Sequence, residues 1–259
     1  MLRIYRYRDL VLTLVGRELK VRYRRSAIGF VWTMLQPLLM MVVFYTVFSQ
    51  LFRFQVPNYP VFALAGILFW NFFSQSIVAS MNSLRGNAML LQKLPVPTAV
   101  FPVATVISGV VNLLFALVPL LLVLVVRGFG DGFASLSPAL LFLPVSILLA
   151  ALFTLGAGLL LAPLAVFFSD VVELVSVLLT VLMYLTPIFY PKEILPEKVR
   201  WIVRFNPVRS ILEVFRDPIY YGKIPPLTHL GVCVGIAAIA LAVGSWAFRR
   251  YSDRIPFYV

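Results

Sequence analysis

Chemistry-bearing side chains are sparse in this 259-residue chain, and their spacing excludes more than it suggests. Asp170 and Glu173, three residues apart in FFSDVVE, are the acids nearest the apolar runs. A carboxylate pair near the interface is what a membrane-embedded sugar transferase would need to hold a metal or move a proton. The same spacing suits a helix start, with Asp170 as N-cap and Glu173 in the first turn. His229 is the one histidine and Cys233 the one cysteine. A His cluster, a Cys-rich metal site and an intramolecular disulfide are therefore excluded within one chain, and no metal site is expected. No GxxxxGK loop, nucleophile elbow, HExxH or CxxC occurs, so ATP phosphates have no P-loop here. No intramembrane charge pair or internal repeat of the kind a passive channel or secondary transporter uses is visible.

What remains is surface for binding. Phe44, Tyr45, Trp70, Phe73 and Tyr184 lie within apolar runs and offer ring faces over which sugars can slide, or else packing and lipid-facing belts. Asn71, Ser74, Gln75 and Ser76 are polar residues inside one such run, and residues of this kind face other protein or a water-filled cavity.

These residues are carried by a membrane scaffold. Hydrophobic residues make up 61% of the chain, above the 45–50% usual for soluble domains, and the mean hydropathy is +0.97. That length holds about six spans of roughly 20 residues. The spans are read at 28–51, 60–81, 99–126, 138–168, 171–190 and 227–248, in one transmembrane domain covering 1–259. Residues 1–27 carry eight basic residues, including Arg17, Lys20 and Arg24, beside an apolar face of Leu12, Val15, Leu19 and Tyr23. That pattern predicts an interfacial helix on the cytoplasmic leaflet and no cleavable leader. The net charge of +12 flanks apolar runs, so anionic lipid and topology account for it, not nucleic acid. The 1–27 stretch, the 83–97 loop and the 249–259 tail carry eight, two and three basic residues, whereas the two short opposite loops carry only Arg53 and Arg127. Both termini are therefore expected in the cytoplasm.

Two segments break the alternation of span and loop. Residues 83–97 hold LRGNAMLLQKL, a short amphipathic helix stopped by Pro95 and Pro97. Residues 185–222 read LTPIFYPKEILPEKVRWIVRFNPVRSILEVFRDPIYYG. Pro187, Pro191 and Pro196 interrupt the chain three times in ten residues. A first short helix begins near Pro196, with Val199, Ile202 and Val203 on one side. A second starts with Asn206 as N-cap and Pro207 at the first helical position. Val208, Ile211, Leu212, Phe215 and Ile219 fall on one face of it, and Arg204, Arg209, Glu213, Arg216 and Asp217 are read on the other. Such a pair dips into the interface without spanning it, as a lid over a pathway.

This second segment carries a resemblance. TP-x-FYP, then LP, then NP about ten residues on, then E-x-x-RD, resembles the extracellular re-entrant hairpin of type-2 ABC exporter permeases. The chain is most similar to their polysaccharide-export branch, which includes O-antigen, capsule and teichoic-acid exporter subunits. The resemblance extends along nearly the whole chain. It implies an all-α integral membrane protein: six transmembrane helices, an N-terminal interfacial helix, a short cytoplasmic coupling helix and an extracellular re-entrant hairpin, here residues 191–222, between spans 5 and 6. It makes 83–97 the coupling helix, so that Arg17, Lys20, Arg24, Asn87, Met89, Leu90, Gln92 and Lys93 meet a nucleotide-binding subunit. It makes Pro187, Tyr190, Pro191, Pro196, Asn206, Pro207, Glu213, Arg216 and Asp217 the external gate. The family often has a basic residue where Ser169 stands here. The resemblance further implies a homodimer in the inner membrane, two copies of an ATP-binding cassette partner that holds the ATP and Mg, no cofactor on this chain, and a lipid-linked glycan substrate. A drug or small-lipid exporter of the same superfamily is the alternative.

Overall fold

The computed structural model describes residues 7–23, 28–51, 56–93, 96–128 and 137–258, and within these the regular structure is helical. The helices are α1 (Arg8–Tyr23), α2 (Trp32–Phe44), α3 (Tyr59–Ser83), α4 (Ala88–Lys93), α5 (Val100–Gly128), α6 (Leu143–Phe167), α7 (Val171–Leu185), α8 (Glu197–Arg204), α9 (Pro207–Arg216) and α10 (Leu227–Ser252). Arg24 and most of the loop at 127–137 lie outside the described residues.

Four helical stretches are long and apolar enough to cross a membrane: α3, α5, α6 with the turn before it, and α10. Within α3, 78% of the most apolar stretch is buried, against 22% in α10, so α3 is the central post and α10 a peripheral one. α6 and α10 pack backbone to backbone. A Cβ on Gly244 would run into the Gly156 carbonyl, and one on Gly156 into the Ala240 peptide, so both positions need glycine. Small residues permit this approach where lipid supplies no hydrophobic drive between helices.

The other two apolar helices are shorter. α2 contains Pro37 and is followed by a π-helical turn, Tyr45–Leu51. α7 ends at Leu185 rather than continuing to Tyr190, because Thr186 precedes Pro187 and takes an extended conformation. At about 1.5 Å per residue, its 15 residues span less than a bilayer core of about 30 Å.

The core divides into two. The larger cluster surrounds α3 and includes α9. The smaller joins Val11, Leu14 and Val15 of α1 to Leu91 of α4, Phe101 of α5 and Phe248 of α10. This corrects the α1 face: Val11 and Leu14 are buried, and Leu12 is 64% exposed. Asp170 does occupy the N-cap of α7, but its carboxylate caps no backbone N–H; it accepts a hydrogen bond from the Ser169 hydroxyl at 3.0 Å.

Candidate functional site

At one end of the bundle the chain from Thr186 to Gly222 is fastened by directed hydrogen bonds. Asn206 caps α9 as expected, its side-chain oxygen accepting from the Val208 N–H at 3.0 Å. Its amide nitrogen donates to the Thr186 hydroxyl at 2.9 Å, joining the start of α9 to the end of α7. Pro207 follows at the first helical position. Tyr220 donates to the Pro57 carbonyl at 2.5 Å, and Ser137 to the Gly222 carbonyl at 2.8 Å. Ser146 of α6 reaches the Val214 carbonyl at 2.9 Å. α8 is different: Trp201 and Phe205 are exposed and pack on each other, while Val203 is buried.

Arg216 departs from its expected place on the polar face. It is 4% exposed, donating to the Pro187 carbonyl at 2.8 Å and the Ile188 carbonyl at 2.9 Å. Its guanidinium carbon lies 3.9 Å from the centre of the Phe62 ring, in cation–π contact. Burial lowers its pKa to about 10, which leaves it cationic at neutral pH. Gly66 makes the room, since a Cβ there would meet the guanidinium and the Ile188 carbonyl. Helical spacing carried the signal: Arg216 is four residues after Leu212 and three before Ile219, on the apolar stripe itself.

Glu213 holds the exposed side together. It accepts from Arg209 at 3.0 Å and Lys192 at 3.4 Å, with His229 at 3.7 Å. Asp217 follows one turn later, its carboxyl pushed up to about 6 by burial and by Glu213. Pro187 is buried, Tyr190 and Pro191 are half-buried, and Pro196 is exposed where it precedes α8. Tyr190 donates to the Tyr184 carbonyl at 2.5 Å.

At the opposite end, α1 packs against α5 and is tied by Arg17 to the turn that precedes α4. A 3₁₀ turn, Arg85–Asn87, leads into α4. Asn87 points inward: it is buried, donates to the Ser83 carbonyl at 2.8 Å and accepts from the Arg17 guanidinium. Leu91 is also buried, whereas Met89, Gln92 and Lys93 are exposed and Leu90 is half-buried. Lys20 is exposed on α1. Thus Met89, Gln92, Lys93 and Lys20 present an outer surface, and Arg17 and Asn87 lock the two helices behind it.

The aromatic candidates do not form one path within the chain. Phe73 fills the core, stacked with Phe153 at 5.6 Å and beside Phe69. Phe44 packs on Phe189, ring centres 4.0 Å apart. Tyr45 is half-buried and Tyr184 is 65% exposed. Trp70 borders a cavity of about 430 Å³ between α3 and α7, with Gln75 and Thr180. A larger cavity, about 790 Å³, lies among α1, α2, α3 and α5. Its polar lining includes Gln36, Asn71, Gln75, Thr105, Ser108 and Asn112. The α5 contribution escaped the sequence reading, although 105, 108 and 112 fall on one helical face.

Residues 9–220 match the family model described as ABC-2 type transporter. The chain is 31% identical over 249 residues to an O-antigen export system permease protein RfbA of Klebsiella pneumoniae, covering 95% of this chain and 93% of that one. It is 34% identical over 248 residues to its namesake in Myxococcus xanthus, covering 95% and 94%. The polysialic acid transport protein KpsM of Escherichia coli is 24% identical over 241 residues, covering 92% and 91%. A match of this extent, on a helical chain with spans of membrane length, places the protein in the ABC-2 type transporter family.

Proposed function

We propose that the chain is the membrane subunit of an ABC transporter that exports a lipid-linked polysaccharide of the O-antigen type across the inner membrane. A separate ATP-binding subunit drives it. The observation that carries this reading is the α1–α4 end. α4 is a six-residue helix whose Met89, Gln92 and Lys93 are exposed, while Leu91 and Asn87 anchor it to the bundle and to Arg17. A short rigid lever of this form transmits the movement of a soluble partner into α3 and α5, which flank it.

In this reading α2 and α7 complete six spans. The α1–α4 end faces the cytoplasm, where the basic residues concentrate, and the 191–222 segment is an external re-entrant hairpin. Val42 and Val43 of α2, with Val177 and Val181 of α7, are exposed apolar surface on the two least embedded spans. A second copy seated there encloses a path that one chain is too thin to provide. Closure of the partner on ATP pushes α1 and α4, the path opens, the glycan enters, and the hairpins gate its exit. Trp70 and Tyr184 border the α3–α7 side of that path.

The test is purification of the tagged permease from its native membrane with an ATPase assay on the complex. An ATP-binding subunit is expected to co-purify. Replacing Gln92 and Lys93 together by glycine is expected to abolish stimulated hydrolysis. A chain that purifies alone, without ATPase, overturns the proposal.

A further inference from the structure

The 790 Å³ cavity mixes apolar surface with hydrogen-bonding groups, most of them neutral. It falls in the range of about 300–1,000 Å³ typical of small-molecule sites. Its lining runs from Ala79 to Leu68 on α3 and from Thr105 to Ala116 on α5. Each stretch is about 16 Å long at the helical rise, or half of a bilayer core of about 30 Å.

Three carboxamides in it, Gln36, Asn71 and Gln75, have no hydrogen-bond partner among the described residues. Thr105 Oγ1 lies 3.0 Å from the Phe101 carbonyl and 3.1 Å from Glu18 Oε1, and its one proton serves one of them at a time. Ser108 donates to the Ala104 carbonyl at 2.9 Å, leaving its oxygen lone pairs to accept. One cation, Arg17, and one anion, Glu18, line the α1 side. Trp32 and Phe72 add aromatic surface.

From this lining we infer that the cavity receives the sugar end of the lipid-linked glycan, a neutral polyhydroxylated headgroup, before it enters the path. The inference rests on the export reading above. A carboxamide both donates and accepts, as does each hydroxyl of a sugar, so adjacent hydroxyls satisfy Gln36, Asn71 and Gln75 without a charge being buried. A phosphate offers acceptors only, so it leaves the acceptor oxygens of those carboxamides unmatched and would face the Glu18 carboxylate. Arg17 and Glu18 belong to α1, and Arg17 holds the turn before α4. A push on α4 therefore moves one wall of the cavity, which ties release of the headgroup to the partner subunit.

The experiment uses the permease in nanodiscs of phosphatidylethanolamine, together with its co-purifying partner. Cys233 is buried; it is changed to serine, and Ala79→Cys places a thiol at a position that lines both cavities. Reaction of that thiol with a water-soluble methanethiosulfonate is timed with dodecyl maltoside as probe, against lauryldimethylamine oxide and phosphatidylglycerol. The maltoside is expected to slow labelling about fivefold, the other two to leave it unchanged, and Asn71→Leu with Gln75→Leu to restore the unprotected rate. Gln36→Leu, on the exposed side of α2, is expected to do the same if the double variant fails to assemble. Equal protection by the amine oxide or the anionic lipid overturns the inference, as does protection that survives the leucine variants. ATPase recovery in the same preparations is read separately: its loss in the parent protein removes the export reading, and its retention without glycoside protection removes only this site.

Discussion

The two ends of the bundle are held by different forces. The 186–222 segment buries the apolar face of α9 in the main core and is in addition fixed by directed hydrogen bonds, with Arg216 donating to two carbonyls, Asn206 to Thr186 and Tyr220 to Pro57. The α1–α4 end is attached mainly by apolar surface, through Val11, Leu14, Leu91, Phe101 and Phe248, with Arg17–Asn87 as a polar link. Hydrogen bonds to fixed carbonyls specify one position, and losing one buried partner is expensive. Apolar contact is non-directional and tolerates small displacement. One end is therefore built to hold its place and the other to shift as a unit.

On that contrast, the largest effect belongs to Arg216. Arg216→Leu leaves the buried carbonyls of Pro187 and Ile188 without donors, at a cost of about 3 kcal/mol. Thermal unfolding in detergent is expected at lower temperature, with proteolysis concentrated between Thr186 and Gly222. An Arg216→Leu protein as stable as the parent would erase the difference between the ends. Gly66→Val attacks the same contact from α3. Its side chain would displace the guanidinium and the Ile188 carbonyl, and an overpacking cost of about 1–3 kcal/mol is expected in the same assay.

Much of this scaffold is readable in the sequence because membrane spans are long apolar runs, and prolines and caps punctuate them. Asn206–Pro207 starts α9 through the side-chain bond its residue types imply. The end of α7 was misjudged because apolar and aromatic residues continue to Tyr190, yet Pro187 decides the backbone at Thr186. Arg216 was misplaced because residue type was weighed above helical phase, and a cation on an apolar stripe is rare enough to override. The larger cavity could not be read from one helix. Asn71 and Gln75 were visible as polar residues in a span, but only packing of α3 against α5 sets them opposite Thr105 and Ser108. Gly109 allows that approach, since a Cβ there would meet Ser76 and Phe72. The aromatics divide in the same way: Trp70 and Phe73 touch, their ring centres 5.7 Å apart, but Phe73 turns into the core against Phe153 while Trp70 borders the α3–α7 cavity.

The fixed end also has a pH dependence. Asp217 is pushed up to about 6 from 3.8, with Glu213, His229, Lys192 and Arg216 as the charges that act on it. The folded state then binds more protons than the unfolded one between those values, so stability falls as pH rises from about 4 to about 6. Protease resistance of the 186–222 segment is expected to decline over that window, and Asp217→Asn to flatten the decline. A profile unchanged in the Asn variant would assign the titration elsewhere.

The smallest effect on stability is expected at Arg17, and it sharpens the comparison most. Arg17 is exposed at its α1 position, and its bond to the buried Asn87 is only partly buried. Arg17→Leu should cost no more than about 1 kcal/mol, since a single such hydrogen bond contributes about that much net. Asn87 keeps its donor bond to the Ser83 carbonyl and loses a partner only at its side-chain oxygen, one acceptor against the two carbonyls that Arg216 serves. The coupling consequence is of another kind. Without Arg17, the polar link from α1 to Asn87 is lost, and a push on α4 is dissipated as sliding over the apolar contact. Substrate export is expected to fall severalfold while the melting temperature and partner co-purification stay within error. Loss of both export and stability together would mean that Arg17 holds the fold as Arg216 does, and that the α4 end is pinned in the same way as the other.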